Sequence, residues 1–155
     1  MKLSTKGRYA VMALVDLAAQ GRDQPVTLAE IADRQDISLS YLEQLFAKLR
    51  RGGLVTSVRG PGGGYLLANS PEDTRISDVI LAVDQPVQTT RCTPGQPFGC
   101  RDNTSRCLSH DLWEQLGNQI LTYLSSVSIA DVVQGRIAGN GALFSPKGGE
   151  RLAAS

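Results

Sequence analysis

The chain has 155 residues, a formal net charge of +1 and no run of about 18 apolar residues, so it suits one domain with a core and not a membrane-spanning protein. Its amino terminus mixes charged and apolar side chains, unlike a secretory signal, and we expect a cytoplasmic protein with no membrane partner. Residues 1–65 carry nine basic and six acidic groups (+3), whereas residues 66–155 carry seven and nine (−2), so the first part is the better candidate for binding an anion.

Two helices are predicted in the first 35 residues. Apolar side chains recur every three or four positions over about residues 4–20, as on one face of a helix. A second helix is expected over about 28–35, because Thr27 lies three positions before Glu30. At that spacing, a hydroxyl and a carboxylate satisfy each other's backbone amides at a helix start.

A third helix and a β-hairpin follow. Ser38 is the expected start of the helix, which Gly52 and Gly53 end. Residues 54–58 and 65–68 have the composition of two short strands, joined by a glycine-rich turn. The predicted fold is therefore mainly α with a small β-hairpin wing, that is, a winged helix-turn-helix.

The rest of the chain is predicted to be helical apart from one loop and a tail. A short helix is expected over 76–83 and a long one over about 105–127. The chain then divides into a winged helix-turn-helix domain with a connecting helix (1–83), a loop (84–104), the long helix with a short C-terminal helix (105–134), and a tail (135–155). The tail is rich in Gly, Ala, Ser and Lys, a composition that predicts disorder.

The third helix and the wing are candidates for binding DNA. In a helix-turn-helix, the third helix presents its first residues to base edges in the major groove, and basic residues nearby contact phosphates. Glu43 would discriminate between sequences by repelling phosphate, and Arg59 at the wing tip would enter a minor groove. The predicted contact residues are Ser38, Ser40, Tyr41, Glu43, Gln44, Lys48, Arg50, Arg59 and Gly60, with Arg51 adding positive charge. Solvation of an ordinary exposed helix is the competing interpretation.

The turn RGPGGGY allows a second interpretation, because glycine-rich loops expose backbone amides to anions. A nucleotide-binding loop leads into a helix and commonly ends in Gly-Lys-Ser or Gly-Lys-Thr. Here strands are predicted on both sides and the lysine is missing, so a wing or an ordinary loop is favoured.

All three cysteines and the only histidine lie close together in the sequence, as Cys92, Cys100, Cys107 and His110. An odd number of cysteines does not suit a disulfide framework, whereas thiolates and imidazole bind iron–sulfur clusters or zinc. Cys107 and His110 are three positions apart at the expected start of the long helix, which would place both side chains on one face. Zinc remains an alternative, although the short Cys-x₂₋₄-Cys spacing typical of zinc sites is missing.

The long helix carries a broad apolar stripe. Leu108, Leu112, Leu116, Ile120, Leu124 and Val127 recur every three or four residues. A helix of about 22 residues spans about 33 Å, more apolar surface than the small preceding domain can cover. We expect it to pack against a second copy, giving a homodimer that binds a palindromic operator in double-stranded DNA. Packing within one chain is the alternative.

The strings LSTKGRYAV, SLSYLEQLFAKLR, GLVTSVRGPGGGYLL and RCLSHDLW resemble the iron–sulfur cluster regulators of the IscR type, within the Rrf2 family of winged-helix transcription factors. The resemblance covers about residues 1–133. It implies homodimers that bind DNA and a 2Fe–2S cluster held by Cys92, Cys100, Cys107 and His110. It also implies control of cluster-assembly genes.

The combined interpretation is a transcription regulator, mainly a repressor, that senses iron–sulfur status. An enzyme is not expected, because His110 is assigned as a ligand and neither a second base nor a carboxylate dyad is visible. Two alternatives stay open. One is a related regulator that senses nitric oxide or thiol oxidation, and the other is an iron–sulfur carrier or electron-transfer protein that does not bind DNA.

Overall fold

The computed structural model of the chain describes residues 3–84, 86–90 and 106–137. Six helices and one two-stranded antiparallel sheet are present in this part. In chain order they are α1 (Thr5–Ala19), α2 (Leu28–Gln35), α3 (Leu39–Arg51), β1 (Val55–Val58), β2 (Gly64–Leu67), α4 (Ile76–Val83), α5 (His110–Ser126) and α6 (Ile129–Val133). The predicted fold class, mainly α with a hairpin wing, is confirmed. From residue 138 the predicted disordered tail lies outside the described residues.

Side-chain caps start the first three helices. The Ser4 hydroxyl accepts a hydrogen bond from the Gly7 amide at the start of α1. Thr27 and Glu30 form the predicted capping box of α2, with the Glu30 carboxylate accepting from the Thr27 amide at 2.8 Å. At the start of α3, the Ser38 hydroxyl accepts a hydrogen bond from the Tyr41 amide at 3.2 Å. These local signals explain why the boundaries predicted from the sequence agree closely with the observed ones.

Helix α1 lies at the centre of the core. Its Ala10, Ala13 and Leu14 are completely buried, and the small alanines let neighbouring helices approach closely. α1 contacts α2, α3, α4, α6 and β2. The buried partners from these and neighbouring elements include Ile31, Leu42, Phe46, Leu49, Val79 and Ile129.

The wing is tied to the helices by a backbone bridge that the sequence analysis did not anticipate. β1 pairs with β2 in the register Val55 with Leu67, and Tyr65 of β2 pairs on its other side with Val26. The Val26 amide donates to the Tyr65 carbonyl at 3.0 Å, and the Tyr65 amide donates back at 2.8 Å. The Tyr65 ring also packs edge-on against Phe46 of α3 at 4.9 Å. The wing therefore has a fixed position relative to α3.

Helix α5 begins at His110, later than the predicted start near residue 105. Cys107 is in a non-helical segment, and Leu108 and Ser109 form a turn closed by a hydrogen bond from the His110 amide to the Cys107 carbonyl at 3.0 Å. The apolar spacing that predicted a longer helix continues through this turn, and spacing alone does not distinguish the two. With 17 residues, α5 is about 25 Å long instead of 33 Å.

The chain after α5 returns to the core. The amide of Ile76 donates to the carbonyl of Val127, and that of Ile129 donates to the carbonyl of Thr74, at 3.0 and 2.9 Å. These bonds fix the end of α5 beside the start of α4 and bring Ile129 into the core against α1. No helix in the described ranges is long and apolar enough to cross a membrane.

Helix α1 carries a buried charged side chain, Asp16. The Asp16 carboxylate is 4% exposed and accepts hydrogen bonds from the Arg34 guanidinium, the shortest at 2.6 Å, and from Nε2 of the Gln35 side chain at 2.8 Å. Burial by itself raises the pKa of Asp16, but the hydrogen bonds from Arg34 and Gln35 and the charge of Arg34 outweigh it, so this pKa lies below its ordinary value. The ion pair ties α1 to α2.

We expect Asp16→Asn to lower the free energy of unfolding at pH 7 by about 1–3 kcal/mol, because it leaves the Arg34 guanidinium without its charged partner. Arg34 is 35% exposed, and solvent reduces the loss. Urea denaturation measures the effect, with exposed Asp23→Asn as the control, which should change stability by less than about 0.5 kcal/mol.

The pH dependence provides an independent check. A lowered pKa means that the carboxylate contributes its full stabilisation above the ordinary value of 3.8 and loses it as pH falls through the lower pKa of the folded state. The stability difference between wild type and Asp16→Asn should therefore be constant near neutrality and shrink below about pH 3.8. A difference that grows on acidification would contradict this assignment.

Candidate functional site

The amino-terminal half of α3 presents polar side chains to solvent. Ser40, Glu43 and Gln44 are exposed. The Ser38 hydroxyl is also exposed but already accepts from the Tyr41 amide at 3.2 Å, so it contributes to the helix start. The Tyr41 ring is half-buried and packs perpendicular to that of Tyr9 at 5.7 Å. In this half of α3, Ser40, Glu43 and Gln44 are thus the predicted contact residues that are both exposed and not used to cap the helix.

The basic residues of α3 have different surroundings. Arg50 is exposed, and Arg51 donates from Nε to the Ala47 carbonyl at 3.3 Å. Lys48 is half-buried, and its ammonium donates to the carbonyl of Val83, the last residue of α4, at 3.3 Å. All three were predicted to supply positive charge to the DNA-binding surface, but Lys48 faces another helix.

The wing turn depends on its glycines. Gly60, next to exposed Arg59, has a φ of +99°, in the left-handed region that favours glycine. Gly64 begins β2 directly against Val26, and a Cβ at this position would lie 2.5 Å from the Val26 carbonyl. Glycine is therefore needed at Gly60 for the turn and at Gly64 for the bridge that attaches the wing.

Two of the four predicted metal ligands lie in the described residues. His110 is the first residue of α5 and is 4% exposed, whereas Cys107 is half-buried one turn earlier, with its Sγ 3.6 Å from the Ser109 Oγ. The expectation that both lie on one helix face is wrong, because Cys107 precedes the helix. The turn nevertheless keeps the two residues adjacent. Cys92 and Cys100 lie outside the described residues.

Two carboxylates next to His110 were missed by the sequence analysis. His110, Asp111 and Glu114 each place one potential ligand atom within 4.8 Å of the others, and His110 Nε2 lies 3.8 Å from Glu114 Oε1. Glu114 lies four positions after His110 and three after Asp111, and these helical spacings could have indicated the group. Asp111 is also in the first turn of α5, where the helix dipole favours a negative charge.

Segment 86–90 precedes Cys92 and Cys100 in the sequence, and it is attached to the amino-terminal half of α5. The Thr89 hydroxyl donates to the Trp113 carbonyl at 2.6 Å. A Cβ at Gly117 would lie 2.6 Å from that hydroxyl oxygen, so the glycine allows segment 86–90 to lie against α5. Thr89 and Cys107, on either side of residues 91–105, thus both lie near the amino-terminal half of α5.

Comparisons with known proteins place these features in a family. The family model described as "Rrf2: Iron-dependent Transcriptional regulator" matches residues 3–135. The chain belongs to the Rrf2 family. Its members are transcriptional regulators, and the helix-turn-helix with its wing is the part of the fold suited to DNA.

Individual relatives agree with this assignment. The chain is 51% identical over 133 residues to the HTH-type transcriptional regulator IscR of Photorhabdus laumondii, covering 86% of this chain and 79% of the relative. Among solved structures, it resembles IscR of T. potens with a TM-score of 0.70 and 37% identity, over 88% of each chain. It also resembles CymR, the global cysteine regulator of B. subtilis, with a TM-score of 0.74 and 30% identity, over 87% of this chain and 98% of that one.

We expect Gly64→Ala to detach the wing, because the new methyl group would collide with backbone atoms of Val26 that cannot move independently. The free energy of unfolding should fall by about 2–4 kcal/mol, as for other severe steric changes. Gly21→Ala is the matched control, since Gly21 also has a positive φ but no atom within 4 Å of a Cβ. It should cost about 1 kcal/mol. If urea denaturation gives the same loss of unfolding free energy for Gly64→Ala and Gly21→Ala, the close approach of Gly64 to the Val26 backbone is contradicted.

Proposed function

We propose that this Rrf2-family regulator is mainly a repressor whose DNA binding depends on a 2Fe–2S cluster. It would report the iron–sulfur status of the cell to the genes for cluster biogenesis, acting in the cytoplasm. The observation that carries this proposal is the pairing, in one chain, of an exposed helix-turn-helix with a thiol and a buried imidazole at the start of α5. The family description, iron-dependent, and the likeness to IscR proteins support it.

The proposed DNA surface consists of the exposed face of α3 and the wing tip. Ser40, Glu43 and Gln44 would contact base edges in the major groove, with Ser38 and Tyr41 at the helix start and Arg50 on phosphate. Arg59 and Gly60 would enter or border the minor groove. Because the Val26–Tyr65 bridge fixes the wing relative to α3, the two contact regions would approach the duplex as one rigid unit. Lys48, predicted in the same set, donates instead to the carbonyl of Val83.

The proposed cluster ligands are Cys92, Cys100, Cys107 and His110. Thiolates with one imidazole suit a 2Fe–2S cluster, and the donor types of Cys107 and His110 fit this group. The cluster would supply a redox-sensitive, removable centre. The start of α5 would favour its negative charge through the helix dipole. Burial of His110 would exclude water from its side of the centre.

A homodimer is proposed through α5. Among its described side chains only His110 is buried, although the helix carries seven large apolar residues. Leu112 is 62% exposed, and Trp113, Leu121 and Tyr123 are also exposed. A second copy would cover this surface, and its two-fold symmetry would place two α3 helices on successive turns of a palindromic operator.

The alternatives account for fewer of the observations. The likeness to CymR means that this fold also serves a regulator named for cysteine, so the fold alone does not identify the signal. The concentration of all three cysteines and the only histidine between residues 92 and 110 favours a metal centre. A carrier that never binds DNA would need neither the wing nor the exposed face of α3.

We expect Cys107→Ala to eliminate the visible absorption, iron and sulfide of protein purified without oxygen, while the chain stays folded. The neighbouring Leu108→Ala is the control, because its side chain is fully exposed and is not a ligand. Absorption spectra and metal analysis measure the result. A colourless wild-type protein that contains zinc would refute the cluster.

We expect Arg59→Ala to weaken operator binding, most strongly where the minor groove is narrow, and to reduce the dependence of log K on log salt by about one. Arg22→Ala is the control, because Arg22 is exposed but paired with Glu72 at 2.8 Å, outside the proposed surface. Fluorescence anisotropy over a range of salt concentrations gives both quantities. Unchanged binding would remove the wing from the contact surface.

We expect Leu121→Glu to convert the dimer into a monomer, because it would bury a carboxylate in the apolar contact. The dimer dissociation constant should rise at least about 100-fold. Gln115→Glu adds the same charge at an exposed polar position of α5 and should have a smaller effect. Sedimentation analysis distinguishes the two states. A dimer that is unaffected by Leu121→Glu would contradict this interface.

A further inference from the structure

The Lys48 ammonium lies at the end of a neighbouring helix. It donates to the carbonyl of Val83, the last residue of α4, at 3.3 Å, and the side chain is half-buried. The last four carbonyls of a helix have no partner within the helix, and together they carry partial negative charge. α4 has no basic residue in its own last turn. Lys48 therefore supplies from α3 the cation that α4 lacks.

A second close contact joins the same two helices. Gly52 follows Lys48 by four residues, so both lie on the side of α3 that faces α4. A Cβ at Gly52 would lie 3.1 Å from the Ala82 Cβ, which is tighter than an ordinary van der Waals contact. The carboxyl-terminal ends of α3 and α4 are thus held together by a charge-assisted hydrogen bond and by direct packing. We call this contact, made by Lys48 with Val83 and by Gly52 with Ala82, the α3–α4 joint.

We propose that Lys48 is a positioning residue and not a phosphate contact. By capping α4, it fixes the angle at which α3 presents Ser40, Glu43 and Gln44. This inference rests on the proposed function only in assuming that α3 binds DNA. It assigns to Lys48 a role different from that of exposed Arg50, although both are basic residues near the end of one helix.

The α3–α4 joint is connected through the chain to α5, which carries the proposed cluster ligand His110. The chain leaves α4 at the carbonyl that Lys48 binds, and segment 86–90 then attaches to α5 through the Thr89–Trp113 hydrogen bond. α4 itself packs against both α3 and α5. These contacts form a continuous connection from the amino-terminal half of α5, through the end of α4 and Lys48, to α3.

The test compares Lys48→Met, which keeps an unbranched apolar stem but removes the ammonium group and its charge, with Arg50→Met, both in the 155-residue chain. Operator and random-duplex binding are measured over a range of salt concentrations. For Lys48→Met we expect about a fivefold to tenfold loss of operator affinity, an unchanged salt slope and unchanged binding to random duplex. Lys48→Arg should restore most of the affinity. For Arg50→Met the salt slope should fall by about one, with similar weakening on all sequences.

A salt slope that falls for Lys48→Met as it does for Arg50→Met would overturn the proposal, and so would an unchanged operator affinity. Hydrogen exchange without DNA gives a separate readout, because Lys48→Met should speed exchange at the Asp84 amide, which closes the last turn of α4 on the Ile80 carbonyl. Unchanged exchange would overturn the joint itself. A wild-type protein without operator preference would instead refute the proposed function, leaving the joint to be judged by exchange.

Discussion

The packing of α4 is the constraint on which both candidate functional regions depend. This helix has only eight residues, yet Ile76, Val79, Ile80 and Val83 are buried, and it contacts α1, α3 and α5. An isolated helix of this length would not be stable in water, so its order comes from these contacts. Because α3 and α5 pack on the same short element, the helix proposed to bind DNA and the helix proposed to hold the metal are not independent.

The parts predicted well from the sequence are those specified by neighbouring residues. The Thr27–Glu30 capping box marks the start of α2, and the glycines after Arg51 mark the end of α3. The hairpin was expected for the same reason, since two short strands flank a glycine-rich turn. The exposed face of α3 could also be predicted, because the helical spacing that buries Leu42 and Leu45 places Glu43 and Gln44 on the face towards solvent.

The contacts that position the site join residues far apart in sequence and could not be predicted in this way. Val26 pairs with Tyr65 across 39 positions, and Lys48 reaches Val83 across 35. Asp16 is buried on the apolar face of α1, and its partner Arg34 lies 18 positions away in α2. Spacing also made α5 too long, because apolar residues continue at helical intervals through the turn that contains Leu108. Contacts with residues distant in the sequence decide whether such a segment forms a helix or a turn.

Helix α5 would couple the proposed binding of a cluster to the proposed binding of a second copy of the chain. Its carboxyl-terminal end is fixed by the backbone bonds around Ile129, and its first half is held by Thr89, while its apolar side chains are only partly covered. A helix with so little burial has small intrinsic stability, and anything that binds only its ordered form stabilises it. A cluster at His110 and a second copy along Leu112 and Leu121 would both do so. Each would therefore strengthen the other, and loss of the cluster would weaken the proposed dimer, in which two copies of α3 would face one operator.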